Sequence, residues 1–339
     1  MLEHGGNLSK AAMRYGIPVE EWLDLSTGIN PQGYPVPDIP SSLWQRLPLE
    51  YDGLLETAQD YYQASNILPT AGSQAAIQSL PRLRPPARVK ILGPTYAEHA
   101  RAWQQSGHQV TMVTDEDLPA VLSDAIDVLV VCNPNNPTGR LIDSKTLLAW
   151  HQQLSARGGW LIVDEAFMDA TPEYSLAQYS HLSGLIVLRS LGKFFGLAGA
   201  RVGFVLAENG LLQQLQEQLG PWAINGASRW VATQALLDKA WQTATRDYLN
   251  QSSLRLHSLL SQYQLIPNGG TALFQWVLTE HAQKWQQHLA QHGIWVRYFD
   301  ASYSSANSLC FSSLRFGLPG ITLPSNWERL EIVLRQFSI

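Results

Sequence analysis

Lysine is scarce in this chain. Of 339 residues only six are Lys: Lys10, Lys90, Lys145, Lys193, Lys239 and Lys284. Any chemistry that needs a primary amine therefore has few donors to choose from. Cysteine is scarcer still. Cys132 and Cys310 are far apart and in no ligand spacing, which suits a reduced cytoplasmic protein and excludes a disulfide framework or a cysteine-based zinc site. Basic charge does not dominate either. Lys and Arg total 23 against 28 Asp and Glu, a formal net charge of -5, so the general basic footprint of a nucleic-acid binder is missing. No apolar run approaches the roughly 18 to 20 residues that span a bilayer. The stretch from Met1 to Lys10 has no apolar h-region, so neither a membrane span nor a signal peptide is expected. With 45% apolar and 15% charged residues, the chain is too apolar for disorder and too evenly mixed for a membrane protein. Its length allows two domains, or one large α/β domain with an appendage.

No internal repeat or low-complexity segment stands out. The first 50 residues read as irregular, apart from a short helix over Leu8 to Tyr15 with Asn7 as N-cap. From about Asp52 helices and strands alternate. Tyr51 to Ala64, Thr95 to Gly107 and Ser144 to Arg157 have helical spacing. Arg88 to Leu92, Val110 to Val113, Asp127 to Cys132, Trp160 to Val163, Leu185 to Leu188 and Val202 to Leu206 read as short strands. The alternation indicates an α/β fold with a mostly parallel central sheet covered by helices. After about Gly226 a long helical stretch runs to near Tyr263. Strands over Thr271 to Leu278, Ile294 to Tyr298 and Ser313 to Phe316 follow, with a closing helix from Ser325. This predicts a smaller α+β domain. The expected division is an N-terminal arm and substrate lid at 1–45, a large domain at 46–235 and a small domain at 236–339.

Ligands of open parallel sheets sit beyond the carboxyl ends of the strands. After the strand ending at Cys132 comes Asn133-Pro134-Asn135-Asn136-Pro137-Thr138-Gly139. After Trp160 to Val163 come Asp164 and Glu165. After Leu185 to Leu188 come Arg189-Ser190-Leu191-Gly192-Lys193, with Arg201 eight residues on. An amide, a carboxylate, an amine and a guanidinium thus converge on one crevice. Earlier, Pro69-Thr70-Ala71-Gly72-Ser73-Gln74-Ala75-Ala76-Ile77 puts small residues at a helix start whose exposed N–H groups suit a phosphate. A lysine beside small residues and a second cation is a candidate Schiff-base amine. A carboxylate facing a pyridinium nitrogen keeps that ring an electron sink. The set points to pyridoxal 5′-phosphate (PLP).

These motifs, with Asp164-Glu165-Ala166, Ser190-Leu191-Gly192-Lys193 and Gly196-Leu197-Ala198-Gly199-Ala200-Arg201-Val202-Gly203 in order, resemble the class I/II aminotransferases of PLP fold type I over most of the chain. The resemblance implies that Lys193 bonds covalently to the cofactor, that Asp164 pairs with the pyridine nitrogen, and that Tyr96 stacks on the ring. It implies that Asn136 hydrogen-bonds the ring O3′, and that Gly72, Ser73, Ser190 and Arg201 hold the phosphate. Arg315, in Leu314-Arg315-Phe316-Gly317, is implied to grip the substrate carboxylate, a planar bidentate task. Relatives of this fold type are homodimers with the site at the subunit interface, so a dimer is expected. Two positions depart from the family pattern. Phe167 replaces the tyrosine often found three residues after the pyridine Asp. Leu47, in Leu47-Pro48, replaces a tyrosine that reaches the neighbouring subunit's phosphate.

The reaction is decided by the site, not the fold. The N-terminal run His4-Gly5-Gly6-Asn7, with Trp22 to Pro31 including Gly28 and Asn30, resembles the threonine-phosphate decarboxylase group of cobalamin biosynthesis, related to the histidinol-phosphate aminotransferases. That resemblance implies conversion of L-threonine O-3-phosphate to (R)-1-amino-2-propanol O-2-phosphate. It also implies His4, Gly5, Gly6 and Asn7 over the substrate phosphate, and Gly28 and Asn30 at the carboxylate end. A Gly-Gly pair can curl its N–H groups round an anion. Two alternatives remain open: an aminotransferase acting on histidinol phosphate or a similar amino phosphate, and a catalytically silent PLP-fold binding module.

Overall fold

The computed structural model describes residues 5–49, 51–114, 117, 126–301, 312–320 and 325–337. In chain order its elements are α1 (Leu8–Tyr15), β1 (Leu23–Leu25), α2 (Ser42–Gln45), α3 (Leu54–Tyr62), β2 (Ile67–Thr70), α4 (Ser73–Ser79), β3 (Arg88–Leu92), α5 (Ala97–Gln105), β4 (Gln109–Val113) and β5 (Val128–Cys132). Then come α6 (Ser144–Ser155), β6 (Trp160–Asp164), β7 (Leu185–Ser190), β8 (Gly203–Leu206), α7 (Asn209–Leu219), α8 (Gly226–Leu237), α9 (Lys239–Gln262), β9 (Gly269–Thr271), β10 (Phe274–Leu278), α10 (Ala282–Gln291), β11 (Ile294–Phe299), β12 (Ser313–Gly317) and α11 (Ser325–Arg335).

The chain forms two compact units. One is Met1–Gln32 with Pro137–Arg140 and Ala244–Ile339; the other is Gly33–Asn136 with Leu141–Thr243. These limits differ from the expected divisions at 45 and 235. The chain changes unit at Gly33 and at Ala244, inside α9. Residues 137–140 group with the first unit because Thr138 lies against Gly269 and Gly139 against the Gly270 backbone, too close for a Cβ at Gly269 or at Gly139.

The second unit is built on a seven-stranded sheet of order β2-β8-β7-β6-β5-β3-β4. From β4 to β7 all neighbours run parallel. Only β8 runs against the others; the edge strand β2, antiparallel to β8, again points the same way as β3 to β7. This is the mostly parallel, helix-covered sheet that the alternating pattern predicts. Strands β5 and β7 are buried at every position, as the apolar runs Val128–Cys132 and Leu185–Leu188 require, and in β7 burial extends to Arg189 and Ser190. Val128, Val130, Ile162, Ile186 and Leu188 pack with Ile77 of α4, Trp103 of α5 and Leu215 of α7. Each such side chain contributes about 1.5–3 kcal/mol by burial. Register then sets the site. Cys132 pairs with Asp164 and Asp164 with Leu188, so β5, β6 and β7 end nearly level.

Side chains alternate across a strand, so Arg189 and Ser190 point to opposite faces of β7. Arg189 is 1% exposed. Its Nη1 donates to Glu165 Oε2 at 2.6 Å, its Nη2 donates to Asp169, and its Cζ lies 4.6 Å from the Tyr62 ring centroid. Burial opposes the charge, but Asp169 and Glu165 outweigh it and hold the guanidinium above its ordinary pKa. Glu165 also accepts the Ser175 hydroxyl at 2.5 Å and the Leu176 N–H at 2.7 Å.

The first unit carries a five-stranded sheet of order β1-β11-β12-β10-β9. Strand β1 is parallel to β11, and the other pairs are antiparallel. Helix α1 starts as expected, with Asn7 Oδ1 accepting the Lys10 N–H at 3.3 Å. Ala11 and Trp22 pack on Ala290, with Trp22 edge-on to Trp295 at 5.9 Å. The expected strand 271–278 is a hairpin of β9 and β10, turning between Thr271 and Phe274, and two further strands were not expected. Leu23–Leu25 is three residues long, and Ile67–Thr70 contains a proline. Both are held by distant partners, β11 and β8. The expected single helix from 226 to 263 is two, broken at Asp238, whose carboxylate accepts the Trp241 N–H at 2.9 Å.

Arg189→Met leaves two fully buried carboxylates without their cation. The expected loss of stability is about 3–5 kcal/mol, read as a drop in the urea midpoint. A change under about 1 kcal/mol would show that the pair carries no net weight.

Candidate active site

The site grows from loops at the carboxyl ends of β5, β6 and β7. Asn133 folds the first loop back: its Nδ2 donates to Ile142 O at 2.9 Å, and its Oδ1 accepts the Ile142 N–H at 2.8 Å. Asn135 ties that loop to the one before α5. It accepts the Thr95 hydroxyl at 2.7 Å and donates to Pro94 O at 2.9 Å. Both Thr95 and Asn135 are buried.

These loops enclose a cavity of about 150 Å³ within the second unit. Of the eight residues expected at a cofactor, seven line it: Ser73, Tyr96, Asn136, Asp164, Ser190, Lys193 and Arg201. Gly72 stands directly behind Arg201. It has φ +72°, and a Cβ there would lie 2.7 Å from Arg201 Nη2. Arg201 is itself in the left-handed region at φ 53°, which costs a non-glycine residue roughly 1–2 kcal/mol. Its Nη1 donates to Ala198 O at 3.2 Å. A bare glycine and a strained arginine thus place the guanidinium at the cavity that Ser73 and Ser190 also line.

At the floor, Asp164 Oδ2 faces His99 Nε2 at 2.9 Å, and Asp164 Oδ1 accepts the Ala166 N–H at 3.1 Å. Cys132 joins them: the sulfur, the imidazole nitrogen and the carboxylate oxygen lie within 4.8 Å of one another, all buried. Burial would lower the imidazole pKa. The charge and hydrogen bonds of Cys132 and Asp164 outweigh it, so His99 is pushed up to about 10. The direction favours the protonated imidazole, paired with the Asp164 carboxylate. Tyr96 donates its hydroxyl to Gln74 Oε1 at 3.1 Å. Burial first, then the nearby Glu98 and Asp164, push the phenol up to about 12, so it keeps its proton. Lys193 Nζ lies 5.4 Å from the Phe167 ring centroid. No phenol reaches the cavity from position 167.

Gln74, His99 and Cys132 belong to this site and were not singled out from the sequence. The one available signal for His99 was its place three residues after Tyr96, on the same side of a helix start.

The expected substrate residues lie in the first unit. Gly5 and Gly6 pass close to Ser26, and the Gly6 N–H donates to Ser26 Oγ at 2.8 Å. Asn7 caps α1. Gly28 is buried. Asn30 is 3% exposed, and its Oδ1 accepts the Gln32 N–H at 2.9 Å. Arg315 of β12 is 6% exposed and donates from Nη2 to Ser26 O at 2.7 Å. His4 lies outside the described residues.

The donor set of the cavity fits a planar heteroaromatic phosphate such as PLP. It offers a carboxylate for a ring nitrogen, an aromatic side chain for the ring, an amide and an amine for ring substituents, and a glycine-backed guanidinium with two hydroxyls for the phosphate. A fold and cavity of this kind define a class of proteins, and the chain belongs to it: the model of the family "Aminotransferase class I and II" matches residues 47–326. Within that class the chain is 52% identical to the threonine-phosphate decarboxylase of Pseudomonas aeruginosa, over 99% of this chain and 98% of the relative. It is 43% identical to a threonine-phosphate decarboxylase of a Sinorhizobium species, over 88% and 90% of the two chains. Among solved structures, the histidinol-phosphate aminotransferase of Sinorhizobium meliloti in complex with PLP superposes with a TM-score of 0.81 at 20% identity, covering 99% of this chain and 96% of that one.

The His99–Asp164 pair has a pH signature. A pKa raised from 6.5 to about 10 in the folded state stabilises fully below 6.5, and the stabilisation is lost as pH rises toward 10. His99→Gln should therefore remove part of the decline in urea stability that the wild type shows across that window. Parallel curves for the two proteins would contradict a protonated His99.

Proposed function

We propose that this chain is a PLP-dependent threonine-phosphate decarboxylase, converting L-threonine O-3-phosphate to (R)-1-amino-2-propanol O-2-phosphate and carbon dioxide. The observation that carries the reading is the 52% identity to the Pseudomonas aeruginosa decarboxylase along nearly the whole of both chains. The intact donor set of the cavity supports it.

Each residue then has a task. Arg201, Ser190 and Ser73, with Gly72 giving them room, bind the cofactor phosphate. Tyr96 lies against the ring. Asp164, oriented by His99, holds a proton at the pyridine nitrogen. When bound, PLP supplies an electron sink for the bond that breaks at the substrate α-carbon. Because Phe167 carries no hydroxyl, Asn136 is the side chain assigned to the ring oxygen. Lys193 Nζ anchors the cofactor and moves the proton that replaces the departing carboxylate. Arg315 binds the substrate carboxylate. His4 to Asn7 serve the substrate phosphate, with Gly28 and Asn30 at the carboxylate end. The net charge of -5 does not oppose a doubly anionic substrate, since the cations that matter are local.

The same reading includes a cytoplasmic homodimer. No described helix is long and apolar enough to cross a membrane. In the second unit Leu49, Tyr51 and Trp222 border one groove while standing largely exposed, Tyr51 at 90% and Trp222 at 58%. Trp44 and Leu47 are exposed close by in the sequence. An apolar patch of this kind is the mark of an association surface.

Purified protein loaded with PLP should release carbon dioxide from L-threonine O-3-phosphate with no keto-acid acceptor present. Lys193→Ala should lower turnover by at least about 10²–10⁴-fold, the usual scale for losing a proton-transfer group. Keto-product formation that depends on 2-oxoglutarate would instead make the chain an aminotransferase. Light scattering should give the mass of two chains, and Tyr51→Asp with Trp222→Asp should shift it to one. A monomeric wild type would remove the dimer from the reading.

A further inference from the structure

Ser26 is a fully buried hydroxyl with every polar group engaged. It is 0% exposed. Its hydroxyl donates to Asp24 Oδ1 at 2.6 Å, and the same carboxylate oxygen accepts the Ser26 N–H at 2.8 Å. A carboxylate acceptor makes these strong bonds and fixes where the hydroxyl proton points. The lone pairs of Ser26 Oγ are left to face the Gly6 N–H, which donates at 2.8 Å. On its other side the Ser26 carbonyl accepts Arg315 Nη2 at 2.7 Å.

The backbone packing is equally specific. A Cβ at Gly5 would collide with Ser26 O and lie 3.2 Å from Ser26 Oγ. Gly6 has φ +82°, the left-handed region that favours glycine. A Cβ at Gly317, two residues after Arg315 in β12, would collide with Thr27 O. The segment at 5–6, the strand end at 24–27 and the arginine-bearing strand therefore meet at one residue. All three lie within the first unit.

The geometry points to Asp24 and Ser26 as positioning residues for the phosphorylated substrate: Asp24 orients the Ser26 hydroxyl, and Ser26 latches the Gly5–Gly6 backbone in the same frame as Arg315. This deepens the proposed function and rests on it for the identity of the substrate. The reading of Gly5 to Asn7 as a phosphate-binding segment needs their N–H groups held still, and a Gly-Gly pair has no side chains to do that. Ordering two glycines at the moment of binding costs backbone conformational entropy, which is largest for glycine. A latch that orders them beforehand spares the substrate that cost. The same residue anchors the arginine assigned to the carboxylate, so the two anionic ends of one substrate are held to a common reference. Neither Asp24 nor Ser26 is assigned to touch the substrate.

Two measurements on the PLP-loaded protein test the latch separately from the reaction. Without substrate, hydrogen exchange at the Gly6 amide should speed up about tenfold or more in Ser26→Ala, the scale for losing one hydrogen bond of about 1.4 kcal/mol. Asp24→Asn should give a smaller rise. With substrate, the Ser26→Ala KM for L-threonine O-3-phosphate should rise about tenfold. The inhibition constant of unphosphorylated L-threonine should move by less than about twofold, because that ligand has no phosphate for the latched segment. Unchanged Gly6 exchange in both variants would overturn the latch, whatever the reaction. Equal weakening of both ligands would reduce Ser26 to a structural support. Should Ser26→Ala fail to fold, Asp24→Asn carries both measurements with the same signs. A wild type that binds no L-threonine O-3-phosphate would defeat the function reading, while the exchange result would still stand.

Discussion

The site depends on a cation that does not reach solvent. Arg189 stands between Glu165 and Asp169 on the far face of β7, one residue from Ser190, and Glu165 stands one residue from Asp164. Strand alternation makes this a two-sided arrangement. One face of each strand end carries a group for chemistry, and the other carries a charge that holds its neighbour. Hydrogen bonds between β6 and β7 set their spacing, and the last of them is the Glu165 N–H donating to Leu188 O at 2.9 Å. Beyond that point the Glu165 side chain holds the backbone, by accepting Ser175 and the Leu176 N–H as well as Arg189. The short segment that brings Ala166 and Phe167 to the cavity is therefore pinned from below. A buried pair is expensive to desolvate and adds little net stability against an apolar substitute. What the ions add is a fixed position, which a hydrophobic contact of similar volume gives less sharply.

Local rules made part of this legible in the sequence. Lys193, Asp164 and Asn136 follow apolar runs that read as buried strands, Arg201 directly precedes one, and each sits near glycines, prolines or small residues whose backbone preferences are short-range. Residues made important by distant partners were not legible. His99 lies on α5 and acts on Asp164, 65 residues away; only the side-by-side placement of β3, β5 and β6 unites them. Arg189 appears in sequence as one more polar residue after a strand, and its meaning depends on Asp169 and Glu165. Strand Leu23–Leu25 is too short for a period to show, and Pro69 disguises Ile67–Thr70. Their pairing is long-range. The break at Asp238 was hidden because helical spacing continues on both sides of it, while Asp238 itself caps the start of α9.

Charge in the cavity also reads differently from charge in the composition. An overall excess of acidic residues suggests a poor host for phosphate. At the buried Asp164, however, the His99 imidazole is shifted toward its protonated form and opposes the carboxylate charge. Arg201 then supplies the positive charge beside the groups assigned to the phosphate. Field within a few ångströms decides binding at a site shielded from solvent, and the remaining charges are screened within about 10 Å at ordinary salt.

The cavity carries what a PLP enzyme of this family needs whatever bond it breaks. Holding a pyridine nitrogen, a ring face and a phosphate serves deprotonation at the α-carbon as well as loss of its carboxylate. Selection between those outcomes must come from groups that orient the substrate rather than the cofactor. In this chain those candidates belong to the first unit, where Arg315, Ser26 and the Gly5–Gly6 backbone share one hydrogen-bonded frame. An arginine that grips a carboxylate with a rigid, planar fork fixes its direction as well as its place. If the same frame also fixes the segment assigned to the substrate phosphate, rotation about the substrate's backbone is restrained at both ends. Reaction choice then becomes a property of how stiffly two anion-binding elements are joined, and not of any additional catalytic group.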